Sequence, residues 1–237
     1  MSLDTVEVKG LIEASLIDWP GKVATVVFLP GCNLRCRYCH ARELVLAGAS
    51  MESISIDRTL DFVAQKQGWI DGVVISGGEP TLHKELPRLA ARIKSMGLAV
   101  KLDTNGTRPR VIENLIAGRL VDAISMDVKA PLDYRYFQVA RRVVNLWDLR
   151  ASINAIRNSK LDYEFRTTVT PFLHSPSDVA EIAQALSGAR RYTLQPFHPH
   201  ACLDKTLERH PPCPASFLED AARLAKGFVG EVVIRRQ

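Results

Sequence analysis

The chain has 237 residues, which is long enough for one sizeable domain and short for two. Hydrophobic residues make up 46% and charged residues 24%, values typical of a folded globular protein, so an intrinsically disordered chain is excluded. The net charge of +5 is spread along the sequence without any basic-aromatic motif, and we expect no binding of nucleic acid. The longest apolar run, Val23–Leu29, is too short to cross a membrane, and the first residues lack the features of a secretory signal. We therefore expect a cytoplasmic protein that does not bind membranes.

Short apolar runs rich in Val and Ile recur along the chain and predict β-strands. The first run, Val6–Leu16, predicts an additional strand or hairpin. Six further strands are predicted at Val23–Leu29, Val73–Ser76, Ala99–Asp103, Ala123–Val128, Tyr163–Val169 and Tyr192–Pro196. The segments between them carry helical periodicity, and strands that alternate with helices predict parallel pairing. A loop rich in Pro and His, Pro199–Pro214, is followed by a predicted helix at Ala215–Lys226 and a predicted strand at Glu231–Arg235.

Six strand–helix units, and not eight, predict the fold class. We expect an α/β protein with a partial (βα)6 TIM-like barrel that is open on one side. Residues 23–198 would form the barrel of this single domain, residues 1–22 an amino-terminal extension, and residues 199–237 a carboxy-terminal loop, helix and strand. Active residues of such folds collect at the carboxyl ends of the strands. Polar or cysteine-bearing segments do follow the predicted strands at those ends, which is unlike a purely structural domain.

Three of the five cysteines lie within eight residues, at Cys32, Cys36 and Cys39, directly after the first barrel strand. A tight, odd-numbered cluster differs from a disulfide framework and indicates metal or redox chemistry. Three thiolates on one loop can hold three corners of a cubane iron–sulfur cluster, which leaves one iron open. A zinc site with His40 as the fourth ligand, or three thiols without a metal, are the alternatives.

The spacing Cys-x3-Cys-x2-Cys after the first strand resembles the radical S-adenosylmethionine superfamily. The run Gly77-Gly78-Glu79-Pro80 after the second strand resembles the glycine-rich motif of that superfamily, although alone it could be a turn with a helix-starting Pro. Within the superfamily the chain is most similar to glycyl-radical-enzyme activating proteins, among them those of anaerobic ribonucleoside-triphosphate reductase. The segments that carry this likeness are Ser15–Lys22, Val27–Asn33, Leu102–Thr107, Met126–Pro131 and Lys226–Arg235.

The resemblance implies a [4Fe–4S] cluster on the three cysteines and S-adenosylmethionine (SAM) as the second cofactor. It makes Cys32, Cys36, Cys39, Lys129 and His198 the candidate catalytic residues. It also implies a set of cofactor contacts, at Tyr38, Gly77, Gly78, Glu79, Thr104, Asp127, Lys129, Arg166 and His198. Four positions would line a monovalent-cation site, with Met126 contributing its backbone carbonyl: Asp103, Thr104, Met126 and Asp127. Arg166 could equally form a surface ion pair, and His198 could be an ordinary loop histidine.

The implied reaction is an oxidoreductase reaction on a protein substrate. The reduced cluster would cleave SAM, and the resulting 5′-deoxyadenosyl radical would take a hydrogen atom from a glycine of a partner glycyl-radical enzyme. A flavodoxin or ferredoxin would supply the electron. A short radical enzyme that acts on a small molecule, for example in deazapurine or cofactor synthesis, and a non-catalytic iron–sulfur or zinc regulator are the alternatives. Cys202 and Cys213 are too few to hold a second cluster, and we expect a structural or incidental role for them.

Overall fold

The computed structural model describes residues 7–46 and 51–235. It contains one eight-stranded sheet in which the strands follow one another in chain order. The first two strands pair antiparallel, and every later neighbour pairs in parallel. The strands are β1 Gly10–Ser15, β2 Ala24–Leu29, β3 Gly72–Gly77, β4 Ala99–Thr104, β5 Ala123–Asp127, β6 Asp162–Val169, β7 Arg191–Pro196 and β8 Glu231–Ile234.

Helices connect the parallel strands, because neighbouring parallel strands need a crossover connection. Several helices begin with a side chain that accepts a backbone N–H at the first turn, such as Ser55, Asn145 and Ser175. The helices are α1 Arg42–Leu46, α2 Ile56–Gln65, α3 Leu86–Ser95, α4 Pro109–Ala117, α5 Tyr134–Ala140, α6 Leu146–Arg157, α7 Pro176–Ala185 and α8 Ala215–Ala225. No helix in residues 7–46 and 51–235 has the length and apolar character needed to span a membrane.

The two faces of the sheet have different environments. Alternate strand residues such as Val73 and Ile75 point to the helices and belong to the main hydrophobic core. The opposite face has a smaller apolar cluster toward the amino-terminal end of the strands, where Trp19 packs with Val26 and Val74. Further along the strands this inner face becomes polar, and it ends in the loops at the carboxyl edge. The interior of the open barrel is therefore closed by Trp19 at one end and lined by polar groups at the other.

The predicted fold class is confirmed, because the sheet runs in strict chain order and its edge strands β1 and β8 do not pair with each other within the described residues, which leaves the barrel open. The six predicted barrel strands lie within one residue of their observed ends. The first predicted strand is shorter than expected and begins at Gly10; Val6 lies outside the described residues. The terminal strand pairs in parallel with β7 and extends the sheet, so the sheet has seven parallel strands and not six. The loop before α8 interrupts the strand–helix rhythm, and the sequence pattern alone therefore separated this strand from the barrel.

Candidate functional site

A cavity of about 210 Å³ opens at the carboxyl edge of the sheet, where the loops after β2 to β5 meet the end of β6. Eleven of the fourteen predicted site residues line it. These are Cys32, Cys36, Tyr38, Cys39, Gly77, Gly78, Asp103, Thr104, Asp127, Lys129 and Arg166. Glu79, Met126 and His198 are not part of its wall. The wall also contains His40, which was named above as the fourth ligand of the alternative zinc site, and six residues that were not predicted, namely Leu34, Ala41, Val45, Ser76, Asn105 and Thr168.

The cysteine loop is held by backbone hydrogen bonds on both sides. The N–H of Arg35 donates to the carbonyl of Ala140 at the end of α5 (2.8 Å). On the other side, the N–H of Leu203 donates to the carbonyl of Cys39 (3.0 Å). The loop between β7 and α8 therefore packs against the cysteine loop, and the three thiols face the cavity from a constrained backbone.

The three thiols occupy a site that opposes the thiolate form. Burial raises the pKa of Cys36 to about 12 and also raises the pKa values of Cys32 and Cys39, while the nearby ammonium of Lys129 lowers all three. A bound metal cluster supplies the positive charge that such thiols need to ionise. Across the described residues, no three His, Cys, Asp or Glu side chains stand together as ligands of one metal ion would. In a cubane cluster each of the three thiolates would bind a different iron.

The two glycines of the second-strand loop allow two backbone segments to meet. A Cβ at Gly78 would lie 1.9 Å from the carbonyl oxygen of Gly31, and a Cβ at Gly77 would lie 2.3 Å from that of Leu29. Gly77 also has a φ of +120°, which side-chain-bearing residues rarely adopt. Hydrogen bonds from Gly78 N to Leu29 O (2.9 Å) and from Glu79 N to Gly31 O (2.8 Å) close the contact. The glycines thus fix the loop that leads into Cys32, in addition to any approach to a ligand.

Glu79 is fully buried, and its carboxylate is already occupied by hydrogen bonds. It accepts from the backbone N–H groups of Thr81 (3.1 Å) and Asn105 (2.6 Å) and from the hydroxyls of Thr81 and Thr104. Burial raises the pKa of this carboxyl, and the hydrogen bonds oppose that increase. The predicted contact of Glu79 with the cofactor stays a prediction. In the structure its carboxylate ties the loop after β3 to the loop after β4.

The two aspartates of the predicted cation site are paired with cationic side chains. Arg166 donates to Asp127 through Nε (2.8 Å) and to Asp103 through a terminal guanidinium nitrogen (3.2 Å). Lys129 donates to the other oxygen of Asp127 (2.9 Å). Burial alone would raise the pKa of Asp127, but Arg166 and Lys129 outweigh burial and hold this pKa well below its usual value. The side chain of Met126 is buried near Gly106. The metal-cation site stays a prediction, and in the structure the arginine and lysine balance these carboxylates. 

Two histidines lie close to the site without lining the cavity. The backbone carbonyl of His198 faces the Nε2 atom of His40 on the cysteine loop (2.8 Å). The buried Nε2 of His198 itself has no hydrogen-bond partner within the described residues. His174 was not predicted: its Nε2 donates to the backbone carbonyl of Lys129 (2.8 Å), and its Nδ1 accepts from the N–H of Thr170 (3.1 Å). Burial lowers the pKa of His174, in agreement with this neutral form.

The two remaining cysteines stay outside the cavity wall. Cys202 is fully buried in the loop against the cysteine loop, and its Sγ faces the backbone carbonyls of His198 and His200. Cys213 is buried beside β7, and burial raises its pKa to about 11. The structural or incidental role expected of both cysteines stays a prediction.

Comparison with known proteins gives the family. The sequence model of the Radical SAM superfamily matches residues 26–187. The chain belongs to this superfamily. A Methanocaldococcus jannaschii protein that bears the name of a glycyl-radical enzyme activating enzyme is 34% identical over 96% of this chain and 95% of its own length. The 7-carboxy-7-deazaguanine synthase of Aquifex aeolicus is 36% identical, but over only 40% of this chain and 38% of its own. The crystal structure of QueE from Escherichia coli has the same fold, with a TM-score of 0.57 and 15% identity over 98% of this chain and 94% of that one.

Membership makes the chain a radical SAM enzyme, an oxidoreductase whose cofactors are a [4Fe–4S] cluster and SAM. The cavity suits this pair. It offers three thiols on one loop for the cluster, and glycine backbone and the cationic Lys129 for a ligand with a carboxylate. The hydroxyl of Tyr38 also lies buried at this cavity without a hydrogen-bond partner among the described residues, as expected of a group that a ligand completes.

Proposed function

We propose that this enzyme activates a partner glycyl-radical enzyme by taking a hydrogen atom from one of its glycines. The observation that carries the proposal is the 34% identity to a named activating enzyme over nearly the full length of both chains. An alignment of this extent includes the segments around the cavity and the loops that surround its opening. A likeness limited to the cofactor site would cover much less of the chain.

The cysteine loop would hold the cluster through Cys32, Cys36 and Cys39. When bound, the cluster and SAM supply the electron and the 5′-deoxyadenosyl radical for hydrogen abstraction. Lys129 would pair with the carboxylate of SAM, because nearby Asp127 raises the pKa of Lys129 well above its ordinary value against the effect of burial and keeps the side chain charged. Arg166 would keep Asp127 ionised and oriented toward Lys129. Tyr38, Gly77, Gly78 and Thr104 would form the wall against which SAM packs.

The target that we propose is anaerobic ribonucleotide reductase, on the likeness of the segments named above to activating proteins of that enzyme. A flavodoxin or ferredoxin would be the electron donor, and the reaction would take place in the cytoplasm. His198 would be a catalytic or cofactor-binding residue beside the cysteine loop, because its backbone carbonyl contacts His40 on that loop.

The test is an anaerobic assay of the cluster-loaded enzyme with dithionite and SAM. We expect 5′-deoxyadenosine together with a glycyl-radical signal in paramagnetic resonance when anaerobic ribonucleotide reductase is present. Cys36→Ala is the matched inactive enzyme, and a target whose radical glycine is changed to alanine is the matched inactive substrate. Formation of 5′-deoxyadenosine without a radical on any candidate target would refute the activating function and leave the radical SAM chemistry.

One observation favours a second candidate function. The 7-carboxy-7-deazaguanine synthase of Aquifex aeolicus is slightly more identical than the activating enzyme, although the match covers less than half of either chain. A radical enzyme for a small molecule would produce 5′-deoxyadenosine only when that molecule is added, and no protein radical would form. The same assay with the small-molecule substrate of such a synthase in place of the target protein therefore separates the two functions.

A further inference from the structure

A closed ring of three polar side chains lies directly behind Cys32. The amide nitrogen of Asn105 donates to Asn33 Oδ1 (2.9 Å), Asn33 donates to Thr107 Oγ1 (2.8 Å), and Thr107 Oγ1 donates to Asn105 Oδ1 (2.7 Å). The backbone N–H of Thr107 donates to the same Asn105 oxygen (3.0 Å). Because a backbone N–H can only donate, the oxygen of Asn105 must face Thr107, and its amide nitrogen must face the cysteine loop.

The amide nitrogen of Asn105 also reaches the sulfur of Cys32. The distance from Nδ2 to Sγ is 3.8 Å, and the backbone N–H of Leu34 points to the same sulfur at 3.4 Å. Asn105 is only 5% exposed, and its own N–H is bound to the buried carboxylate of Glu79. Both ends of the residue are therefore fixed, and the amide cannot turn away from the sulfur without breaking the ring.

We propose that Asn105 is a positioning residue that raises the reduction potential of the iron–sulfur cluster through its hydrogen bond to Cys32. Reduction adds one negative charge, which is shared between the cluster and its thiolates. An N–H dipole aimed at a thiolate stabilises the more negative state, and hydrogen bonds to the sulfurs are among the determinants of cluster potential. The proposal requires that Cys32 is a cluster ligand, and it is independent of which substrate the enzyme uses.

The ring provides variants that separate the hydrogen bond from general packing. Asn105→Asp preserves the shape and the oxygen that accepts from Thr107, but it replaces the donor to sulfur with a charged acceptor. Asn105→Leu removes the donor and adds no charge. Thr107→Val is the matched control, because it removes one hydroxyl of the ring and retains the backbone N–H that orients Asn105.

The experiment is a redox titration of the cluster-loaded enzyme without SAM, followed by paramagnetic resonance, with iron and sulfide counted in each sample. We expect full cluster content in all variants, a more negative midpoint potential in Asn105→Leu, and a still more negative one in Asn105→Asp. The midpoint potential of Thr107→Val should stay closer to that of the parent than the potential of either Asn105 variant does. An unchanged potential in Asn105→Leu, or an equal shift in Thr107→Val, would overturn the proposal. Failure of both Asn105 variants to hold a cluster would overturn it in favour of a role in assembly. None of these outcomes depends on glycyl-radical formation.

Discussion

Arg166 gives the most direct test of the charge network beneath the cavity. Its guanidinium bridges Asp103 and Asp127, which lie on two other strands, and its side chain is only 10% exposed. Arg166→Met retains most of the apolar stem and removes the charge. The carboxylates of Asp103 and Asp127, which are 13% and 28% exposed, would then face each other across the inner surface of the sheet with less positive charge between them.

The expected loss of stability follows from what remains around the carboxylates. Removing one partner of a buried ion pair costs about 3–5 kcal/mol. The lower end applies here, because Lys101 stays 3.3 Å from Asp103 and Lys129 stays 2.9 Å from Asp127. We therefore expect Arg166→Met to lower the free energy of unfolding by about 3 kcal/mol. Asp103→Asn should lower the free energy of unfolding by less, because Arg166 keeps its bond to Asp127. Once Arg166 is absent, Asp103→Asn removes a negative charge that lacks its main cationic partner. The loss of stability in the double variant should therefore be smaller than the sum of the two single losses by at least about 1 kcal/mol.

Urea unfolding of the cluster-loaded protein under argon measures these differences, with tryptophan fluorescence and the visible absorbance of the cluster recorded on the same samples. The shift of the midpoint, multiplied by the slope m, gives the change in free energy of unfolding if m is unchanged. Two results would refute the reasoning. One is a loss below about 1 kcal/mol for Arg166→Met, and the other is additivity of the two single changes within about 0.5 kcal/mol.

Three further predictions concern the cluster, the cofactor and a buried histidine. Cys36→Ala should abolish cluster assembly while Cys213→Ala leaves the iron content unchanged, and loss of a quarter or more of the iron in the second variant would contradict a single cluster. Lys129→Met should retain iron, but its equilibrium affinity for SAM should fall by about tenfold or more, because a charge-assisted hydrogen bond contributes roughly 1.5–3 kcal/mol. An unchanged affinity for SAM would show that Lys129 is not part of the binding site. Burial lowers the pKa of His174 in the folded chain, so below about pH 6.5 the unfolded chain takes up a proton that the folded chain does not. Stability should therefore fall more steeply from pH 7.5 to 5.5 in the parent than in His174→Gln, and equal slopes would show that His174 is not the group responsible.

The strands could be predicted from the sequence because their signal is local. Each barrel strand is a short apolar run bounded by turn-forming or polar residues, and both sheet faces near the amino-terminal end are covered, so the run needs no alternation. Cys32, Gly77 and Asp103 each lie at or directly after the carboxyl end of such a run, and parallel strands bring those ends to one edge. The cavity wall was therefore largely predictable once the strand order was known.

The partners of these residues could not be predicted in the same way. Arg166 pairs with Asp127 because the register of β5 and β6 places the two residues opposite each other. A shift of one residue would turn one of the two side chains to the helical face and break the pair. His174 gave no sequence signal at all, since a single histidine in a loop shows neither its burial nor the carbonyl that it meets. Glu79 was predicted as a cofactor contact, which stays a prediction, and the sequence did not reveal its four hydrogen-bond donors, which come from its own turn and from the end of the next strand.

The hydrogen bonds suggest why three motifs far apart in sequence belong to one site. Gly78 lets the second-strand loop touch the backbone that leads into Cys32, and Glu79 then binds the backbone of Asn105 on the third loop. Asn105 returns to Cys32 through its side chain. The three loops thus form a closed circuit around the thiol of Cys32, and each one is held by the other two. A change in any of them should therefore act on the thiol environment, which is why the reduction potential is a sharper readout of these motifs than enzyme activity.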